Sequence, residues 1–131
     1  EKWDTSTVTN MTHMFQGALL FNQSFNWDTS NVAGMSYMFA GAIVFDSPFG
    51  DKWNTNNVIY MSHMFSHASQ FNKPLVWNTS SVLYMEGMFW NALRFNQSLN
   101  SWVVTQVHNI QGIFLGAQEF TQPLLGWHMH L

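Results

Sequence analysis

The sequence predicts a repeat solenoid, in which each coil of about 25 residues contains one short parallel β-strand and one short helical segment. Two observations predict it: a tryptophan that recurs at nearly constant spacing, and identical apolar residues that recur behind it. The spacings are 24, 26, 24, 25 and 25 residues, between Trp3, Trp27, Trp53, Trp77, Trp102 and Trp127. This period is typical of units that bury their apolar faces against their neighbours.

The chain is therefore interpreted as a single array over residues 1–131. Its units are 3–26, 27–52, 53–76, 77–101 and 102–126, and a sixth begins at 127. At 131 residues and 47% hydrophobic content, one domain with a core running along the array axis is expected.

Two columns of the aligned units contain only phenylalanine. The first is Phe15, Phe39, Phe65, Phe89 and Phe114, and the second is Phe21, Phe45, Phe71, Phe95 and Phe120. Columns of valine, methionine and alanine accompany them. Because equivalent residues of stacked coils lie over one another, these columns predict the core.

Within one unit the apolar period changes, and this change predicts the elements. Phe25, Trp27 and Thr29 alternate with other residues at a period of 2, which indicates a short strand. From Val32 to Phe45 apolar residues recur every three or four positions, which indicates one or two helical turns preceded by an N-capping Thr-Ser. Asn-Gln-Ser and Asn-Lys-Pro segments then predict the turn that leads to the next strand.

The pattern W-[DN]-T-S-x-V-x-x-M-x-x-M-F-x-x-A-x-x-F-N-x-[SP]-[LF], found at 27–49 and 77–99, resembles the BspA-type surface-protein repeat, a divergent relative of the leucine-rich repeats. The resemblance spans essentially the whole chain. It implies a leucine-rich-repeat-like solenoid, an extracellular or cell-surface location and a role in adhesion. Unit five departs from the pattern, with Val103 and Val104 in place of the Asp/Asn-Thr pair and isoleucine at 110 and 113.

Composition excludes several classes of function. A net charge of −3 with 8% charged residues gives no basic surface for nucleic acid or an anionic membrane. No apolar run approaches the ~18 residues of a transmembrane helix. The chain has no cysteine, so disulfides and cysteine-ligated metals are excluded.

No cofactor, metal or catalytic site is predicted. His63 and His67 have the i, i+4 spacing of a helical zinc pair, but no glutamate adjoins either residue. Asp4 and Asp28 share a column that continues as Asn54 and Asn78, which favours an amide ladder over a cation site. No Ser-His-Asp arrangement recurs, so we do not expect an enzyme.

Four sequons make Asn10, Asn22, Asn78 and Asn96 candidates for glycosylation, although a repeat rich in asparagine and serine also produces such triplets by chance. Asn10 lies in a variable column and is expected to be exposed. Asn78 is expected to be buried in the strand ladder, and Asn22 and Asn96 to be intermediate.

Apolar residues in the columns that vary are expected to face outward and to form a partner surface. They are Leu19, Leu20, Ile43, Val44, Ile59, Leu83, Trp90, Leu93 and Leu115. The two ends of the array carry the same columns, so the chain is expected to continue into further repeats or to stack end to end with other copies. The end-stacking candidates are Trp3, Phe15, Phe120, Leu124 and Trp127.

These observations favour a non-enzymatic, extracellular or cell-surface repeat protein with an adhesive or scaffolding role. It would be a segment of a longer array or a subunit of an end-to-end filament, with partners that are other copies of itself or protein and glycan ligands. The alternative is a ligand-recognition module for glycans or ice, based on the hydroxyl row Thr5, Thr29, Thr55 and Thr79.

Overall fold

The computed structural model describes residues 3–127, so the residues of the sixth unit that follow Trp127 lie outside the described part. The five repeats stack in register, and isolated parallel bridges join equivalent positions of successive repeats. One series of bridges runs through the whole stack and connects Asn10, Gly34, Tyr60, Tyr84 and Asn109. A separate bridge joins Phe25 to Phe49.

Between Trp3 and Trp127 the chain forms turns and isolated bridges, with no α-helix and no β-sheet. The prediction of a leucine-rich-repeat solenoid with one strand and one helical segment in each coil is therefore wrong. The observed architecture is a stack of turn-rich repeats.

The predicted helical segment is absent because its backbone amides donate alternately to a carbonyl of the same repeat and to a carbonyl of the next repeat. The N–H of Met38 donates to the carbonyl of Met35 at 3.2 Å, which closes a turn within the repeat. The next amide, that of Phe39, donates to the carbonyl of Met64 in the following repeat at 2.9 Å. An α-helix needs every interior N–H for the carbonyl four residues earlier, so this alternation excludes it. Successive turns direct the same apolar residues inward, which is why the periodicity resembled a helix.

The predicted strand is absent because a side chain replaces part of the backbone pairing. The hydroxyl of Thr29 donates to the carbonyl of Asn54 at 2.9 Å and accepts the N–H of the same residue at 2.6 Å. Thr5, Thr55 and Thr79 donate likewise to the next repeat. Hydrogen bonds between repeats thus pass through threonine hydroxyls instead of a continuous strand ladder.

The two phenylalanine columns form the centre of the core. Phe39, Phe65 and Phe89 are fully buried. Their rings stack nearly parallel, with centroids 5.6 Å apart between Phe39 and Phe65 and 5.8 Å apart between Phe65 and Phe89. The invariant columns therefore lie inside, whereas variable residues such as Leu20 and Trp90 lie on the outer surface.

None of the residues from 3 to 127 forms a helix of the length and apolar character needed to cross a bilayer.

Candidate binding surface

Two columns of each repeat adopt a left-handed backbone conformation, with φ between 55° and 75°. The first column is His13, Tyr37, His63, Gly87 and Gly112, and the second is Gly17, Gly41, His67, Asn91 and Gly116. Only glycine adopts this conformation without a steric penalty. The repeat geometry therefore demands a glycine-like conformation at both positions, and five of the ten residues are not glycine.

The non-glycine residues of the first column form a row of rings on the outer surface. The centroids of His13 and Tyr37 are 4.9 Å apart, and those of Tyr37 and His63 are 4.8 Å apart, with interplanar angles of 18° and 14°. Trp90 of the fourth repeat lies at the end of this row, with its ring 5.8 Å from that of His63. We call His13, Tyr37, His63 and Trp90 the ring row.

A shallow groove of about 380 Å³ lies between the ring row and the second left-handed column. Its side chains include Gln16, Tyr37, His63, His67 and Trp90, and Gly17, Ala40, Gly41 and Ser66 complete it. The lining contains no Asp, Glu, Lys or Arg. The groove is thus aromatic, with amide, hydroxyl and imidazole groups and no permanent charge.

Partial burial lowers the pKa of His63 below its usual value of 6.5, against the opposing effect of Glu86. Desolvation disfavours the imidazolium form. His63 therefore contributes a neutral imidazole to the groove at pH 7.

A second, larger cavity of about 620 Å³ has a different character. Asp28, Asp51 and Lys52 line it together with Trp53 and Trp77. The indole Nε1 of Trp53 is buried without a hydrogen-bond partner among residues 3–127, whereas that of Trp102 donates to the carbonyl of Leu75 at 2.9 Å. This cavity is polar and carries charges of both signs.

The nine predicted partner-surface residues differ in exposure and in surroundings. Leu19, Leu20, Ile43, Val44, Trp90 and Leu115 are exposed, while Ile59, Leu83 and Leu93 are half-buried. Trp90 lines the groove, whereas Leu83 borders a separate cavity beside His108. The structure thus brings only one of the nine into the ring row.

The four sequon asparagines differ in exposure. Asn10 and Asn22 are exposed and Asn96 is half-buried. Asn78 is exposed rather than buried, because the adjacent Thr79 occupies the inward position. The side-chain oxygen of each accepts a backbone N–H, which leaves the amide nitrogens outside these bonds.

The acidic residues stabilise turns. The carboxylate of Asp28 accepts the hydroxyl of Ser30 at 2.6 Å and its N–H at 2.9 Å, and Asp4 accepts the same groups of Ser6. These bonds, the hydroxyl bond first, lower the pKa of both carboxyls. Within residues 3–127 no group of three His, Cys, Asp or Glu residues could hold a metal ion.

The predicted end-stacking residues lie at the two faces of the stack. Trp3 is exposed, and Phe15, Phe120, Leu124 and Trp127 are half-buried. Their equivalents within the stack, such as Phe65 and Leu99, are fully buried. The end faces thus present core columns that lack a neighbouring repeat in the described part of the chain.

Sequence reasoning missed the ring row because it assigned these residues to a helix. The available signal was the alternation of glycine with histidine, tyrosine and asparagine in two columns four residues apart. Such alternation is typical of a left-handed position.

A family profile described as "Mycoplasma protein of unknown function, DUF285" matches residues 1–76 and again residues 51–130. The overlapping matches agree with an internally repeated chain. They do not confirm the BspA-type assignment made from the repeat pattern. Neither the curated proteins nor the solved structures contain a significant match.

Proposed function

We propose, from the premise that this chain belongs to the DUF285 family of Mycoplasma proteins, that it is a non-enzymatic repeat protein with an adhesive or scaffolding role at the cell surface or outside the cell. The location and the role are both part of the proposal. The resemblance of 27–49 and 77–99 to the BspA-type surface repeat supports them.

The observation that carries the proposal is the separation between constant and variable residues. The repeated phenylalanine, methionine and threonine columns are buried in the stack, as Phe65, Met64 and Thr55 show. Residues that differ between repeats, such as Leu20, Tyr60 and Trp90, are exposed. A constant frame with a varied outer surface is the arrangement by which repeat proteins recognise other molecules.

The end faces support a scaffolding role through continued stacking. No residue of 3–127 donates to the first-repeat carbonyls of Asn10, Thr12, Met14 and Gln16, whose equivalents in the second repeat accept amides of the first. At the other face, the amides of Ile110, Gly112, Phe114 and Gly116 have no acceptor within 3–127. One face thus offers acceptors and the other offers donors in the same columns. This complementarity fits a further repeat of the same chain or another copy.

The alternative function, a ligand-recognition module, is supported by a different surface from the threonine row on which it was predicted. The threonine row on which it was based is at most 7% exposed, and its hydroxyls are bonded to the next repeat. Those hydroxyls are not available to ice or to a glycan. The uncharged aromatic groove beside Trp90 is the feature that favours ligand recognition instead.

Protease treatment of intact cells that express the chain, followed by detection of its fragments, tests the location. We expect cleavage without lysis and loss of cell attachment to coated surfaces. An attachment assay with beads that carry the purified chain tests adhesion separately. Full protection from protease in intact cells would contradict the surface location, and beads that attach no better than albumin-coated ones would contradict the adhesive role.

A further inference from the structure

We propose that the groove beside the ring row binds a neutral carbohydrate chain. This inference rests on the adhesive role proposed above and names the ligand class for it. The occupied surface would extend from Gln16 in the first repeat to Trp90 in the fourth.

The first argument is the backbone conformation of the residues that line the groove. Tyr37, His63 and His67 have φ values of 59°, 55° and 61°, which disfavour any residue with a Cβ. Glycine occupies the equivalent positions in other repeats, at Gly87 and Gly116. Glycine would therefore satisfy the fold at lower cost. Side chains retained at strained positions on one face indicate a role in binding.

The second argument is an unused polar group. Ser66 is 4% exposed and lines the groove, and its hydroxyl has no hydrogen-bond partner among residues 3–127. This hydroxyl is open to solvent, so it can exchange water for a ligand hydroxyl.

The third argument is the chemistry of the lining. A neutral sugar ring has an apolar C–H face and a rim of hydroxyls, which match aromatic rings and uncharged hydrogen-bonding groups. The exposed Trp90 ring supplies the former, because the two faces of the Tyr37 ring are covered by His13 and His63. Gln16, Ser66 and His67 supply the latter. No charged side chain lines the groove, so an anionic or cationic ligand would lose its solvation without a counter-charge.

The fourth argument is the direction in which the groove runs. The groove runs along the stack axis across successive repeats, and the rings of Tyr37 and His63, which both line it, are 4.8 Å apart. Equivalent groups thus recur at a regular interval along one line. This arrangement suits a linear chain of sugar units better than a single compact ligand.

A glycan array probed with the labelled full chain tests the inference. The array would contain neutral oligosaccharides of glucose, galactose, mannose and N-acetylglucosamine, together with sialylated and sulfated ones. We expect binding to neutral chains. Titration calorimetry with the strongest of them should show about a tenfold loss of affinity in His63→Gly and in Trp90→Ala, as expected for a lost ring contact.

Asn91→Gly is the matched control. It also replaces a left-handed residue, with φ of 56°, by glycine, but Asn91 does not line the groove, and its Nδ2 contacts the groove residue His67 only at 3.5 Å. Both glycine variants should unfold at the same or a higher urea concentration than the parent chain, while only His63→Gly loses affinity. This combination shows that the loss does not come from misfolding.

The inference would be overturned by binding confined to acidic glycans, by no binding to any neutral glycan, or by unchanged affinity in both ring variants. Tight binding of an apolar peptide in the groove, with no sugar able to displace it, would also overturn the inference. The array uses the purified chain, so these outcomes are independent of the cell-surface location tested above.

Discussion

The imidazole of His63 lies over Gly87 of the following repeat, where an added Cβ would come within 2.2 Å of the His63 Cε1 atom. Gly87 also has a φ of 61°. The two residues share a column, so the glycine both fits its own left-handed turn and provides the space for the ring of its neighbour.

Gly87→Ala should therefore destabilise the chain through two effects. The left-handed conformation costs roughly 1–2 kcal/mol for a residue with a Cβ, and displacement of the His63 ring adds about 1 kcal/mol. Gly112→Ala is the matched control, because Gly112 shares the column and a φ of 69°, but its Cβ would meet nothing closer than 3.9 Å. Urea unfolding of both variants measures the difference. Equal losses would show that the His63 ring is not held over Gly87.

Phe65→Ala should lower the free energy of unfolding by roughly 3–5 kcal/mol, because a fully buried ring leaves a cavity. Phe65 also stacks on Phe39 and Phe89, so both neighbouring repeats lose contacts. Phe15→Ala, at the half-buried end of the same column, should cost less. A loss of less than about 1 kcal/mol for Phe65→Ala in a denaturant titration would be incompatible with a core position.

The sequence was sufficient to predict that the invariant phenylalanine columns are buried within the stack. Identity down a column requires a constant environment, and the stack provides it for Phe39, Phe65 and Phe89. The local conformation was not predictable from the same pattern. Either a helix or a series of turns would place the apolar residues between Val32 and Phe45 in the interior. The two conformations differ in the hydrogen-bond acceptors of the backbone amides.

The groove could not be predicted without knowing whether this segment is a helix or a series of turns. On a helix, His63 and His67 would face one way as a metal-binding pair. In the turns, both occupy left-handed positions and line an uncharged groove with Trp90. The prediction for the threonine row was also wrong. Its hydroxyls were expected at the surface, but they lie inside the stack and replace backbone hydrogen bonds between repeats.

Thr79→Val should lower the free energy of unfolding by roughly 1–3 kcal/mol. The Thr79 hydroxyl donates to the carbonyl of Val103 at 2.9 Å and accepts its N–H at 2.9 Å, and the residue is 1% exposed. Valine occupies the same column at Val104, so the shape is tolerated and the loss reports the hydrogen bonds. Thr105→Val, at an exposed position without such bonds, should change stability little. Unaltered stability in Thr79→Val would contradict the role of the threonine row.

Ser30→Ala should raise the pKa of Asp28 towards its usual value of 3.8, since the Ser30 hydroxyl is the main cause of the lowered pKa. A carboxyl whose pKa is lowered by folding contributes stability above pH 3.8, and this contribution is lost as the pH falls through the folded pKa. The variant should therefore lose less stability on acidification. Carboxyl ¹³C NMR titration measures the pKa directly.

Ser80→Ala is the control for that titration. The Ser80 N–H donates to Asn78 at 2.9 Å in the equivalent turn, but an amide does not ionise. Its substitution should leave the acid dependence of stability unchanged. A folded pKa of Asp28 that does not rise in Ser30→Ala would contradict the assigned hydrogen bond.

The last prediction concerns the end faces of the stack. The first repeat presents half-buried rings and carbonyls that accept no amide from residues 3–127, and the fifth presents amides that have no acceptor in the same range, over the same columns. Apolar surface and unpaired backbone groups favour association when their arrangement is complementary. We therefore expect the purified chain to self-associate at micromolar concentration, with a mass above its 15.2 kDa in light scattering and elongated particles in electron microscopy.

Met14→Lys tests whether the end face causes this association. Met14 is 44% exposed at the first-repeat face, although Met38, Met64 and Met88 in the same column are fully buried. A lysine there should weaken stacking, because its charge would have to be buried against the fifth repeat of another copy. Val76→Lys is the control, since Val76 is 85% exposed on the side of the stack, and it should leave the association unchanged. A parent chain that remains a monodisperse monomer, or equal behaviour of the two lysine variants, would exclude stacking through these faces.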